Sequence, residues 1–369
     1  MTIKKDRKLT IDDSAFYFLD HTLTDFFVPQ SFYHRLLHPF SPRGKLVYFG
    51  KEGLDESNSL VQVSQRFEPD CVLRDKLYRI ALTEKNVHDL QQTASVHPEY
   101  ATWLSSDEIE SQCGLLTKCH GGILLSNGCK VIHVPTYLSG LWKACEEMSD
   151  SRATWSILHE SSSDLSSQPE DSTNFWKQKL ADFDSVVFSA GSGLFHDSVL
   201  QKDANDFPAE LVRGQSIEFT LDDCDLKDSN FSNQAILCGK YIAPLKGNNQ
   251  VLIGATHEYK EEPFNEDEVL EDLRARSFDI SHLVWNQGKV NRITSGYRVQ
   301  SRRGKYGRIP IIGKTIYDDI HHNSWLFTGL SARGLIYHGV YGKILSESIL
   351  RNDESTIVDV MPDALWWKE

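Results

Sequence analysis

At 369 residues, 40% hydrophobic and 25% charged, the chain can bury one large domain or two intertwined ones, which excludes a disordered or fibrous protein. A net charge of −13 argues against non-specific nucleic-acid binding, which needs clustered Lys and Arg. No run approaches the roughly 18 apolar residues of a membrane span, no secretory signal is visible, and seven scattered cysteines indicate free thiols in a reducing, cytoplasmic setting.

The first 35 residues are aromatic-rich and contain no glycine; the first glycine of the chain is Gly44. LLHPFSPRGK (36–45), with two prolines and Arg-Gly, predicts a loop, and VYFG (47–50) reads as a short strand or equally as helical. Leu77, Ile80, Ala81, Val87 and Leu90 are spaced as one face of a helix over 77–94. GGILLSNGCKVIHVP (121–135) predicts two strands joined at Asn127-Gly128, the dipeptide that best suits a tight hairpin. A helix follows Pro135, in TYLSGLWKACEEM.

The Ser- and acid-rich stretch 149–174 predicts a solvated loop, interrupted by a strand at ATWSIL (153–158). FDSVVFSAGSG (183–193) predicts a buried strand running into a Gly-Ser-Gly turn. LVRGQSIEFT (211–220), AILCGKYIAPL (235–245) and QVLIGATHEY (250–259) read as successive strands. FNEDEVLEDLRARSF (264–278) predicts a helix whose early carboxylates suit its N-terminal dipole. WLFTGLSARGLIYHGVYGKILSESIL (325–350) predicts a strand, a Gly-rich loop and an amphipathic helix. This order implies an α/β part interleaved with an antiparallel-sheet part.

Four stretches carry residues that packing alone does not require. Ala190, Gly191 and Ser192 put small residues at the carboxyl end of a strand, where α/β sheets take flat phosphate-bearing ligands; an ordinary strand-to-turn connection is the alternative. GLSARGL starts a helix near Gly334, whose N-terminus suits an anion, with a glycine-lined packing contact as the alternative. Arg298, in SGYRVQ, suits a two-pronged grip on a carboxylate, although a surface arginine is commoner. His38, Arg43 and Lys45 fall in the loop 36–45, which reads equally as a solvated turn.

Rival chemistries are poorly served. Cys113, Cys119, Cys129 and His133 are irregularly spaced with no C-x2-C pair, so no metal site is expected. Gly329-Leu330-Ser331-Ala332-Arg333 lacks the second glycine of a nucleophile elbow.

Taken in order, LLHPFSPRGK, the helix after HVPTYLSGLW, FDSVVFSAGSG, LVRGQ, YIAPL with VLIGATHEY, SGYR with GRIPIIG, and LFTGLSARGLIYHGVYGKIL resemble the D-amino-acid-oxidase-like family of FAD-dependent oxidoreductases. The likeness covers about 36–350. Within the family it is nearest to the FAD domain of the bifunctional tRNA 5-methylaminomethyl-2-thiouridine biosynthesis protein and to plant FAD-dependent oxidoreductases.

The resemblance implies an α/β (α+β) fold: an incomplete FAD-binding Rossmann-like domain (1–70, 126–205 and 310–355) interleaved with an antiparallel-sheet substrate domain (71–125 and 206–309), then a C-terminal tail (356–369). It implies FAD as cofactor and oxidation of a C–N bond α to a carboxylate, by hydride transfer to the flavin. Gly329, Ser331, Arg333, Gly334 and Leu335 would line the flavin ring, and Arg298 would hold the substrate carboxylate, so Arg298 and Arg333 are the catalytic candidates. Ala190, Gly191 and Ser192 would meet the ADP or linking part of FAD, and the loop with His38, Arg43 and Gly44 would run past the ring.

The implied substrate is a small amino-acid-like molecule or a modified tRNA base, with no membrane partner. A basic patch of Arg298, Arg302, Arg303, Lys305 and Arg308 can contact phosphate. One departure stands out. The family opens on a G-x-G-x-x-G turn against the FAD pyrophosphate, and this sequence has none. The expectation is a family member short of its first strands, cytoplasmic or organellar, with a catalytically inactive binding protein as the alternative.

Overall fold

The computed structural model describes residues 2–3, 14–15, 18–19, 34–41, 43–113, 119–150, 153–154, 157–158, 177–178, 180–195, 207–222, 234–245, 249–259, 262–316 and 321–368. In chain order these form β1 (Thr2–Ile3), β2 (Ser14–Ala15), β3 (Phe18–Leu19), β4 (His34–Leu37), α1 (Gly50–Gln65), β5 (Val72–Arg74) and β6 (Leu77–Ile80). Next come α2 (Glu84–Val96), β7 (Ala101–Leu104), α3 (Ser106–Cys113), β8 (Gly122–Leu125), β9 (Lys130–His133), α4 (Val134–Met148), β10 (Ile157–Leu158) and β11 (Ser185–Phe188). Then follow β12 (Ala209–Thr220), β13 (Ile236–Leu237), β14 (Tyr241–Pro244), β15 (Gln250–Gly254) and α5 (Glu266–Gln287). The last elements are β16 (Lys289–Ser301), β17 (Ile311–Lys314), β18 (Ser324–Thr328), α6 (Gly334–Arg351) and α7 (Ser355–Val360).

The chain divides into two units. Unit one gathers 1–27, 141–211 and 297–369; unit two gathers 28–140 and 212–296. Thus 28–70 and 126–140 group with unit two and 297–309 with unit one.

Unit one is built on a five-stranded sheet, order β17-β18-β11-β1-β2. β11 and β18 are parallel, with Val186 opposite Ser324 and Phe188 opposite Leu326. β17 runs antiparallel to β18, and β1 antiparallel to β11. Its core includes Phe183, Val186, Phe188, Leu194, Leu326 and Trp367. β17 lies at the sheet's edge, and the last residues seal it. Trp367 Nε1 donates to Ile312 O at 2.9 Å, Trp366 Nε1 to Pro310 O at 3.4 Å, and Lys314 N to Glu354 Oε1 at 2.5 Å. Alternate backbone groups of an edge strand are thereby satisfied by side chains, which blocks pairing with a foreign strand.

Unit two holds the eight-stranded sheet β16-β12-β15-β14-β13-β6-β8-β7 and a three-stranded sheet β4-β9-β5. In the larger sheet β13 and β6 run parallel, whereas β12–β15, β13–β14, β14–β15, β6–β8 and β7–β8 are antiparallel. α5 lays Val269, Leu273, Ile280 and Val284 onto Ile217, Phe219 and Ile253 of that sheet. Its start is fixed by a capping box: Asn265 Oδ1 accepts from Glu268 N and Glu268 Oε2 from Asn265 N. The helix runs on to Gln287, past a kink at Ser281, further than 264–278.

Several local expectations are corrected. Residues 77–94 are not one helix: Leu77–Ile80 is strand β6, and α2 begins only after Thr83, whose hydroxyl accepts from Asn86 N. The apolar positions of β6 serve a strand buried between β13 and β8, where periodicity cannot separate strand from helix. Of the two readings of VYFG the strand is not formed: Tyr48-Phe49 turn into α1, which begins at Gly50, with Phe49 at φ 52°. The loop 36–45 starts two residues late, because Leu36 and Leu37 end β4. Asn127 and Gly128 do take the left-handed turn, but β8 pairs with β6 and β7 whereas β9 pairs with β4 and β5, so the two strands form no hairpin. Of the strand expected at 153–158, Ile157–Leu158 is strand, whereas Ala153 and Thr154 are not, and 155–156 lie outside the described residues. Among the described residues, no helix is long and apolar enough to cross a membrane.

Candidate active site

Two loops of unit one leave the carboxyl ends of adjacent parallel strands, the place where α/β sheets receive ligands. After β11, Ala190 leads into a 3-10 turn over Gly191–Phe195, closed by Gly193 N donating to Ala190 O at 3.0 Å. After β18, Gly329 and Ser331 both take left-handed backbone, at φ 70° and 55°, before a 3-10 turn over Ser331–Arg333 leads into α6. For serine that conformation costs roughly 1 kcal/mol or more, a strain found preferentially at ligand clamps. The register across β11 and β18 brings Gly191 and Gly329 to the same end of the sheet.

Among the described residues, nothing fills the space beside Gly191 and Gly334. A Cβ built on Gly191 or on Gly334 would meet no heavy atom of the described residues within 4 Å, whereas one on Gly329 would press on Ile311 at 3.3 Å. Gly329 is therefore needed for packing, and Gly191 and Gly334 leave room. Arg333, the N-cap of α6, makes no side-chain cap hydrogen bond, and the helix start carries a partial positive charge that suits an anionic ligand. Two buried hydroxyls of unit one, Thr328 Oγ1 at the end of β18 and Ser301 Oγ at the end of β16, have no hydrogen-bond partner among the described residues. Buried polar atoms of that kind call for a polar ligand or water.

β16 joins this cluster through a backbone bridge between Gln300 and Leu330. Arg298 lies on the same face of β16 as Gln300, roughly 7 Å along the strand, and is partly buried. Gln300 Nε2 donates to Glu210 Oε1 at 3.0 Å, and Arg308 pairs with the same carboxylate at 3.1 Å. Glu210 is thus already engaged beside the Arg298 edge.

The first residues of α6 include two groups that the sequence pattern did not single out, Tyr337 and His338. Arg333 Nη1 donates to the Tyr337 hydroxyl at 3.4 Å. Burial pushes the Tyr337 phenol above its ordinary pKa, and Arg333 opposes the rise. His338 Nδ1 lies 3.1 Å from the carbonyls of both Gly334 and Leu335, so it carries the proton and leaves Nε2 as an acceptor. Burial holds the His338 pKa below its usual value, the two carbonyls opposing, so the ring is neutral at neutral pH. A histidine in an apolar helix reads as core. Its position one turn after Gly334, where side chains lean back toward the helix start, was the available signal.

Of the sequence candidates, Ala190, Gly191, Ser192, Arg298, Gly329, Ser331, Arg333, Gly334 and Leu335 all belong to unit one. His38, Arg43 and Gly44 belong to unit two. There Gly44, at φ 74°, packs so tightly on α2 that a Cβ would collide with the Thr93 hydroxyl, which donates to Gly44 O at 3.1 Å. That glycine is required by a turn against a helix.

The family model described as FAD dependent oxidoreductase (DAO) matches residues 30–348. No curated protein matches the sequence. Among solved structures, the chain is similar in fold to glycine oxidase from Geobacillus kaustophilus, at 15% identity and TM-score 0.60, over 86% of this chain and 82% of that one. It is likewise similar to iminodiacetate oxidase from Chelativorans sp. BNC1, at 14% identity and TM-score 0.62, over 91% and 89%. Fructosamine oxidase (Amadoriase II) from Aspergillus fumigatus gives 11% identity and TM-score 0.64, over 94% and 84%.

Proposed function

The chain belongs to the DAO family of FAD-dependent oxidoreductases, and from that premise we propose that it oxidises a C–N bond α to a carboxylate, with FAD seated at the carboxyl ends of β11 and β18. The observation that carries this reading is the space beside Gly191 and Gly334 that no described residue fills, at the start of α6. FAD bound there would take up the hydride leaving the substrate's α-carbon.

The chain's own residues supply position and charge. Gly329, Ser331, Gly334 and Leu335 would border the ring, and the start of α6 would favour its electron-rich reduced form. Thr328 and Ser301 offer hydroxyls that have no other partner among the described residues. Ala190, Gly191 and Ser192 would meet the ADP or linking part. Arg298 would grip the carboxylate through two parallel N–H···O bonds and so fix the α-carbon. Arg333 would add positive charge at the ring side while holding Tyr337.

The names of the fold relatives, oxidases of glycine, iminodiacetate and fructosamine, support an amine substrate bearing a carboxylate or similar acceptor group. A small amino-acid-like amine is the simplest choice, and the same group on a modified tRNA base is the larger one.

Residues 1–43 favour a second reading. They contain no glycine, so they offer no tight turn against the FAD pyrophosphate. A family member of this kind would hold FAD weakly and act as a binding protein. Titrating the purified chain with FAD, followed by absorbance and flavin fluorescence, separates the two. Saturable uptake and bleaching by a carboxylate amine support the oxidase; a chain that stays colourless in excess FAD overturns it.

A further inference from the structure

From Ile280 to Tyr317 the sequence contains no Asp or Glu but eight Lys and Arg, in a chain that otherwise carries 52 acids and a net charge of −13. Within this acid-free stretch, residues 302–308 form a short hairpin in unit one. Gly304 N donates to Gly307 O at 2.8 Å and Gly307 N to Gly304 O at 3.0 Å, with Gly307 at φ 85°, which leaves Lys305-Tyr306 as a two-residue tip. The base is pinned on both sides. Arg302 N donates to Pro208 O at 2.9 Å, while the Arg308 guanidinium reaches Glu210 and the carbonyl of Ser301.

Arg302, Arg303 and Lys305 are exposed, and neither arginine side chain forms an ion pair among the described residues. Tyr306 is 37% exposed and has Lys305 Nζ 4.8 Å from its ring centroid. The hairpin is thus a preorganised mount for three cations and one aromatic face. Two of the cations are arginines, whose planar forks match phosphate oxygens pairwise. The tip carries a hydroxyl-bearing ring under a lysine rather than a Trp, Phe or Leu, which suits stacking on a base better than insertion into lipid.

We propose that the hairpin 302–308 is a docking surface for single-stranded nucleic acid, with Arg302, Arg303 and Lys305 on successive phosphates and Tyr306 against an unstacked base. The acidic remainder of the chain gives no long-range attraction, so binding is short-ranged and strongly salt-dependent. The proposal does not depend on the oxidase reading.

The test uses the full chain and a fluorescein-labelled RNA of mixed sequence, about a dozen nucleotides long, followed by anisotropy. With three phosphates engaged, affinity falls on the order of tenfold from about 50 to about 150 mM salt. Replacing Arg302, Arg303 and Lys305 together by Ala weakens binding at least tenfold and flattens the salt slope. Tyr306→Ala weakens binding severalfold and leaves the slope intact, since stacking releases no counterions. The residues are exposed, so melting is unchanged; if the triple variant does not fold, Arg303→Glu alone serves. Absence of saturable binding overturns the proposal, as does a triple variant that binds like the parent. Equal affinity for a duplex with Tyr306→Ala silent overturns it in favour of a generic polyanion patch. Capture by phosphatidylserine vesicles without binding to RNA overturns it in favour of a lipid surface.

Discussion

Gln300 and Leu330 are joined by a backbone bridge, and through it the last residues of β16 are fixed against the loop that precedes α6. Arg298, on the same face of β16 as Gln300, therefore has a set position relative to Gly329 and Ser331.

Arg298→Lys removes the fork but keeps the charge. Turnover of a carboxylate amine should fall by roughly tenfold to a hundredfold in kcat/KM, the scale of one or two charge-assisted hydrogen bonds. FAD uptake should not change. Steady-state kinetics beside an FAD titration check this, and unchanged kinetics would remove Arg298 from the proposed site.

Gly334→Leu should leave folding nearly untouched, because a Cβ at residue 334 meets no heavy atom of the described residues within 4 Å. It should lower FAD affinity, since the added side chain fills the proposed cradle. Isothermal titration with FAD and a thermal melt without it separate these effects; equal affinity would place the flavin elsewhere.

Trp367→Ala should destabilise unit one by about 3–5 kcal/mol, the range for a buried Trp truncated to Ala. Trp367 is 6% exposed, and its indole N–H is the partner of Ile312 O on the edge strand β17. Urea unfolding gives the loss, and light scattering should show aggregation through the bared edge.

His338 gives a pH dependence. Its folded pKa lies below the usual 6.5, so between 6.5 and the lowered value the unfolded chain binds more protons than the native one. Stability should therefore be undiminished above pH 6.5 and decline as pH falls through that window. His338→Gln should flatten the decline. Urea midpoints across this range check the sign, and a midpoint that rises on acidification would contradict it.

Much of this arrangement was legible because glycine marks it. Gly191, Gly193, Gly329 and Gly334 stood at strand ends in the sequence, and the structure puts them where two parallel strands end side by side. Thr328, Ser301 and His338 were not legible, since a lone hydroxyl or imidazole in an apolar run looks like packing until its neighbours are known. The Asn127-Gly128 turn shows the same limit in the fold. A dipeptide fixes local dihedrals, but the partners of β8 and β9 are chosen by β6 and β4, far away in sequence. Gly44 could be read as part of a loop, but its close packing on α2, where a Cβ would meet the Thr93 hydroxyl, was not legible.

Ser185 and Asn323 share a hydrogen bond although they stand 138 positions apart, at the start of the parallel pair β11–β18. The whole second segment of unit two, 212–296, lies inside the loop that this pairing closes. Closing so long a loop is entropically slow. The proposed cradle therefore forms no earlier than this loop closes, and a refolding sample should regain ligand binding only once β11 and β18 have paired.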